Sequence, residues 1–159
     1  MAANPYIVRR DEQGGDAART LHHPLNASAV RHSHSLGDAC GLTRVGVHHV
    51  RVAPGVTSTE KHTHRFCDEF IYVLEGEGAV VLGDDSHAVA AGDFIGLPAG
   101  GPAHAMHNTG NTDLVYLVGG SRPDYDVCDY PDLGKRLYLS VTPQERLRDV
   151  VALDDIQTL

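Results

Sequence analysis

From Leu42 onward, short apolar runs alternate with turn formers. "LTRVGVHHVRV", "EFIYVLEG", "GAVVLG", "HAVA", "DFIGLP", "HAMHN" and "DLVYLVGG" are rich in Val, Ile, Leu, Tyr and Phe, and Gly, Pro, Asp or Asn separate them. Short strand-forming runs at regular spacing predict an all-β sandwich or barrel. Gly83 to Asp85 reads as a hairpin turn. Residues 1–40 have a different texture. In "DEQGGDAART", "LHHPLNAS" and "RHSHSLGD" turn formers interrupt every apolar run, which predicts an N-terminal arm of loops with at most one short strand. Near the other end, "TPQERLRDVVAL" predicts a short C-terminal helix. Thr142 is its N-cap, Pro143 its first residue and Glu145 the partner in a capping box, with Leu147, Val150 and Val151 on one face. The chain thus divides into an arm (1–40), a barrel (41–140) and a helical tail (141–159), with no internal repeat.

Composition narrows the function classes. The 159 residues suffice for one domain with a real core. A net charge of −8 argues against a nucleic-acid surface. No apolar run approaches the ~20 residues of a membrane span, and "MAANPYIVRRDEQGGD" lacks the apolar core of a secretory signal. Cys40, Cys67 and Cys128 are odd in number and form no C-x-x-C pair, so neither a disulfide framework nor a cysteine zinc site is expected. A cytoplasmic location follows as the expectation.

The chemistry lies in the eleven histidines. In "KHTHRFCDEFIYVLEGEG", His62 and His64 are i and i+2. On a strand both project to one side, about 7 Å apart at their backbones. Glu69 follows after a short bend, where a hairpin returns it beside them. Two imidazoles and a carboxylate on one face suit a divalent transition metal. His32-Ser33-His34 repeats the H-x-H spacing without a following acid and glycine, and is set aside. A second segment, "GDFIGLPAGGPAHAMHN", offers His104 at the start of a strand and Asn108 four residues on.

Together these segments resemble the paired motifs of the cupin superfamily, small β-barrels of jelly-roll topology. Gly55, His62, His64, Glu69 and Gly76 match the first motif. Gly92, Pro98, Gly100, His104 and Asn108 match the second, with fifteen residues between Gly76 and Gly92. Two spacings, Gly55 to His62 and Gly100 to His104, differ by one loop residue from the common pattern. The flanks "LGDACGLTRVGVHHVRVAPG" and "VGGSRPDYDVCDYPDLGKRLY" resemble small single-domain bacterial cupins loosely named for polyketide biosynthesis or sugar-phosphate isomerisation. Cys67 departs from that group, which often has an acid there.

The resemblance implies a jelly-roll barrel whose metal ligands are His62, His64, Glu69 and His104, holding one divalent ion such as Zn, Fe, Mn, Ni or Co. It also implies a homodimer with a small-molecule substrate. Alternation puts Ile71, Val73, Met106 and Asn108 inside and turns His107 outward. His48 and His49 are adjacent, so one of them points inward. His49 is taken as that residue, with a role in orienting substrate or moving a proton, and Arg51 on its face is taken to hold an anionic group. The expected function is a metal-dependent isomerase, lyase or oxygenase acting on a small polar metabolite. The alternative is a non-catalytic carrier of a small ligand.

Overall fold

The computed structural model describes residues 4–13, 18–142 and 144–156. Its strands are β1 (Arg19–His23), β2 (Asn26–Ser35), β3 (Val45–Val52), β4 (Thr63–His64), β5 (Glu69–Glu75), β6 (Glu77–Leu82), β7 (Asp85–Ala90), β8 (Phe94–Leu97), β9 (His104–His107), β10 (Leu114–Ser121), β11 (Tyr125–Tyr130), β12 (Lys135–Val141) and β13 (Arg146–Ala152). One short helix, α1 (Leu36–Ala39), caps the passage from β2 to β3, with Ser35 accepting from the Asp38 amide. The strands form an antiparallel jelly roll. One sheet runs β1-β2-β3-β10-β5-β8, a second β13-β12-β11-β4, and a third β7-β6-β9.

The apolar runs legible in the sequence supply the core. Val50, Val52, Ile71, Val73, Leu97, Met106, Leu114 and Tyr116 are buried in one cluster between the six-stranded sheet and the β6–β9 pair. The expected inward residues Ile71, Val73, Met106 and Asn108 are all buried. Asn108 is a clamp within this core. Its amide donates to the carbonyls of Val52 and Thr112, both at 2.8 Å, and its Oδ1 accepts from the Gly110 amide. The Gly83 hairpin also forms. Leu82 pairs with Asp85 across a two-residue turn whose first position is Gly83 at φ 64°, a placement that favours glycine.

Two expectations need correction. The N-terminal segment is not an arm. β1 and β2 are hairpin strands added to the main sheet, with Ser33 paired to Val50 and Ser35 to His48. Strand β2, "NASAVRHSHS", lacks large apolar residues because Arg31 and Ser33 on its inner face line the cavity shared with His48, His64 and Glu69. The C-terminal segment is not a helix. Residues Arg146–Ala152 form β13, paired over their whole length with β12, and only Leu153–Asp155 makes a single 3-10 turn. The Glu145 amide does donate to Thr142 Oγ1 at 3.1 Å, as a capping box requires. That contact instead tightens the hairpin between β12 and β13, where the Thr142 amide donates to the Glu145 carbonyl. Pro143 lies outside the described residues. A neighbouring strand offering a full hydrogen-bond ladder to β-branched Val150 and Val151 outweighs a local helical pattern.

Candidate metal centre

His62, His64, Glu69 and His104 come from three separated stretches and meet on the wall of one cavity. His62 and His104 exchange backbone hydrogen bonds, His62 N–H to the His104 carbonyl at 3.1 Å and the reverse at 2.8 Å. This fixes their rings 4.8 Å apart. The His64 ring lies 5.0 Å from that of His62, and the His64 carbonyl is held by the Gly100 amide at 2.7 Å. Gly100, at φ 71°, turns its loop so that this amide faces β4, a conformation that favours glycine. Glu69 opens β5 opposite Gly120 on β10. Its Oε2 sits 3.4 Å from His64 Nε2 and 3.3 Å from His104 Nε2. Ligand atoms of His62, Glu69 and His104 all lie within 4.8 Å of one another.

The hydrogen bonds behind the rings test whether this set fits a metal. His62 Nδ1 faces the Glu60 carbonyl at 2.8 Å, His104 Nδ1 the Pro102 carbonyl at 3.3 Å, and His64 Nδ1 the Asp126 carboxylate at 2.5 Å. Each of these partners is an acceptor, so each Nδ1 carries the proton. That leaves Nε2 of each ring as the atom for a cation, the usual arrangement behind metal-binding imidazoles. The donor set, three imidazoles and one carboxylate, fits a divalent transition ion.

Electrostatics agree with a cup built for positive charge. Burial, with the neighbouring His104 and His64, pushes His62 down to about 4, so it is neutral at pH 7. Burial also pulls His64 down. The Asp126 carboxylate, aided by Cys128 and Glu69, outweighs it and pushes His64 up to about 11. Burial alone would raise Glu69, but the adjacent His104 and the positive charge on His64 hold it below the usual carboxylate range. Two carboxylates, Glu69 and Asp126, thus flank His64 and favour a cation between them.

Asp126 and Cys128 are site residues that the sequence reading missed. They alternate with Tyr130 on the buried face of β11. The Cys128 thiol lies 3.1 Å from His64 Nδ1. The available signal was the i, i+2 pattern of "DVCDY" after the second motif. Cys67 is buried and its thiol donates to the Ser121 carbonyl. Burial pushes that thiol up.

The cup opens into a cavity of about 770 Å³. Ile71, Val50, Leu97 and Met106 give it an apolar floor. His48, not His49, lines it. Register decides this choice: His48 pairs with Val118, and Val118 with Ile71, and Ile71 lies two residues from Glu69 on the same face. His49 and Arg51 therefore point to the opposite side of β3. There Arg51 pairs with Asp113 at 2.9 Å. The structure does not bring this expected pair to the cup. Burial, then Arg122, holds His48 below its ordinary value and hence neutral. His107 stands outside the cavity lining, as alternation on β9 requires. His22 and His23, expected in a loop, line the cavity from β1.

Comparison with known proteins places this architecture. The model of the cupin domain matches residues 48–120. The chain is similar to a crystal structure of a proposed sugar phosphate isomerase from Acidithiobacillus ferrooxidans, with 39% identity and a TM-score of 0.89 over 98% of this chain and 97% of the other. It is also similar to a sugar phosphate isomerase of the cupin superfamily from Silicibacter pomeroyi, with 28% identity and a TM-score of 0.80 over 96% of each chain. An uncharacterised protein of Methanocaldococcus jannaschii is 30% identical over 127 residues, which span 80% of this chain and 79% of the relative. Among the described residues, no helix is long and apolar enough to cross a membrane.

Proposed function

This chain belongs to the cupin family, and we propose that it is a metal-dependent enzyme that isomerises a small oxygen-rich metabolite of the sugar-phosphate class. One observation carries the reading. Three imidazoles, each with Nδ1 committed to an acceptor, stand with the Glu69 carboxylate on the wall of a cavity sized for a small metabolite. The similarity to two proteins named for sugar phosphate isomerisation supports the substrate class.

When bound by His62, His64, Glu69 and His104, a divalent metal supplies Lewis acidity that polarises a carbonyl or hydroxyl oxygen. The protein's own residues do the rest. Asp126 fixes the tautomer and direction of His64. Ile71, Val50, Leu97 and Met106 exclude water from the cup floor, which strengthens the charge interactions above it. His48, a neutral imidazole on the cavity wall, is suited to take the proton from the hydroxyl-bearing carbon next to a carbonyl and return it to the former carbonyl carbon, while the hydroxyl proton passes to the former carbonyl oxygen.

The test begins with elemental analysis of protein purified without a chelating tag. The metal-loaded protein is then incubated with aldose and ketose phosphates in deuterated water. Isomerisation with solvent deuterium appearing at the carbon next to the carbonyl is expected. Stoichiometric oxygen consumption on iron loading would instead mark an oxygenase. Tight binding without exchange or turnover would mark a carrier.

A further inference from the structure

Beyond the metal cup, one class of side chain in the cavity has no counterpart. Of the described arginines, Arg10, Arg51, Arg65, Arg122 and Arg136 lie within 4.0 Å of a carboxylate. Arg31, Arg146 and Arg148 do not appear in any ion pair among the described residues, and all three line the cavity. An arginine facing a cavity without a carboxylate partner retains its charge and its planar donors for something that enters.

These residues reach the cavity from two different sheets, Arg31 from β2 and Arg146 and Arg148 from β13. In the four-stranded sheet Asp126 pairs with Leu139, and Leu139 with Arg148. Paired residues share a face, so Arg148 stands on the face that carries Asp126 and, through the Cys128 pairing, His64. Arg146, two residues earlier, points the same way. On the other wall Arg31 shares its face with Ser33, and its guanidinium donates to the Ser58 carbonyl at 2.9 Å. That bond holds the head group while leaving further donors unused.

Rings span the interval between this basic region and the cup. Tyr130 lies 5.9 Å from the His62 ring and 5.5 Å from the His23 ring. His23 is held below its ordinary value first by burial, then by Arg31, with Arg148 adding and Glu60 opposing. Arg31, Arg148 and His23 all line the same cavity. Glu60 is the acidic group on this side, and its Oε2 already accepts from Asn26 Nδ2 at 2.7 Å.

We infer that Arg31 and Arg148, with Arg146 beside them, form an anion subsite one ring beyond the metal cup that takes the phosphate monoester of the substrate. The subsite rests on the proposed function for its role, but it is a binding site in its own right. A phosphate dianion suits it better than a carboxylate, because its oxygens can take donors from more than one guanidinium, and Arg31, Arg146 and Arg148 all line the cavity without a carboxylate partner among the described residues. The substrate is thereby defined as two-headed. A carbonyl or hydroxyl end lies at the cup, and a phosphate end lies between β2 and β13.

The test is calorimetric binding of inorganic phosphate, with succinate as the carboxylate comparison, to full-length metal-loaded protein. Elemental analysis accompanies every sample. Wild type should bind phosphate saturably and in preference to succinate. Arg148→Gln and Arg31→Gln should each weaken phosphate binding by about 10- to 100-fold with metal content unchanged. Arg148 is exposed, so its variant remains informative even if loss of the Arg31–Ser58 bond disturbs folding. His104→Ala should empty the cup yet leave phosphate affinity within roughly threefold.

Unaltered phosphate affinity in Arg148→Gln, or succinate binding as tightly as phosphate, would overturn the assignment. So would phosphate binding lost in His104→Ala but kept in Arg148→Gln, which would put the anion on the metal. If the wild type carries no metal while Arg148→Gln still loses phosphate, the subsite stands and the metal reading falls.

Discussion

Asp126 Oδ2 lies 2.5 Å from His64 Nδ1, and the other oxygen of the same carboxylate accepts the Phe66 amide at 3.1 Å. This buried pair sets which nitrogen of His64 faces the cup. Asp126→Asn keeps the shape but not the logic. The amide oxygen must satisfy the Phe66 N–H, so the NH₂ group turns to His64 Nδ1, which then becomes an acceptor. The proton moves to Nε2, where a metal would sit. With all four candidate ligands intact, metal affinity should fall about 10- to 100-fold, as measured by competition with a chromogenic chelator. An unchanged affinity would mean that the Nδ1 partner of His64 is irrelevant.

Gly120 stands opposite Glu69 with no room for a side chain. A Cβ there would come 2.7 Å from the Asp68 carbonyl and 2.9 Å from Glu69 Cγ. Gly120→Ala should therefore displace Glu69, reduce metal content although no ligand is changed, and destabilise the fold by about 1–3 kcal/mol. Elemental analysis and a urea midpoint check both parts. Full metal content with a lowered midpoint would show that the strand yields instead of Glu69.

How much of this was legible in the sequence depends on what each residue faces. Ile71, Val73 and Met106 face a dry core, so their alternation is visible in the letters and the strands were found. His62, His64, Glu69 and His104 were legible as a set only through the resemblance of the two motifs to those of cupins, and barrel closure is what brings the four side chains together. Strand β2 was missed because its cavity-facing residues are Arg31 and Ser33 rather than large apolar ones. Strand β13 was missed because its partner β12 is tertiary context, which a local capping pattern does not contain. The choice between His48 and His49 turned on register between three strands, and one strand's sequence has no register in it.

Asn108 is fully buried and donates to two carbonyls. Asn108→Asp is nearly isosteric but replaces the donor by an oxygen facing both acceptors. It should cost about 3 kcal/mol or more, since two carbonyls lose their partner and a carboxylate is buried. Chemical denaturation reads the loss directly. A variant within 0.5 kcal/mol (about the size of an ordinary surface change) would show that the loop opens to water and that the clamp is dispensable.

Acid stability has an identifiable contributor away from the cup. Asp129 accepts from Arg136 at 2.5 and 2.9 Å and from Arg65 at 2.9 Å. The Arg136 hydrogen bond, with Arg65 adding, holds its carboxyl below the usual range. A depressed folded value means that the stabilisation is present above the unfolded carboxylate range near pH 4. It is lost as pH falls through the folded value. Asp129→Asn should lower Tm at pH 7 by roughly 2–4 °C. The gap to wild type should then close as pH is taken below about 4. A gap that persists at low pH would assign the effect to packing rather than charge.

His48 and His49 are adjacent imidazoles whose fates differ only by the pleat. His48 faces the cavity in the row of Val118 and Ile71, and His49 faces away beside His34. Both are held below their ordinary value, first by burial, so protonation state does not distinguish them and direction does. If the proton transfer of the proposed isomerisation uses the cavity imidazole, His48→Gln should reduce solvent-deuterium exchange into a sugar phosphate by about a hundredfold or more. Metal content should be unchanged, because His48 is not among the cup's ligands. His49→Gln should leave exchange and metal content as in wild type. The reverse result would require β3 to be shifted by one residue against β10, which would also turn Val50 and Val52, both fully buried, out of the core. Because that shift would destabilise the whole barrel, equal stability of the two variants together with loss of exchange only in His48→Gln would fix the register and the role of His48 at once.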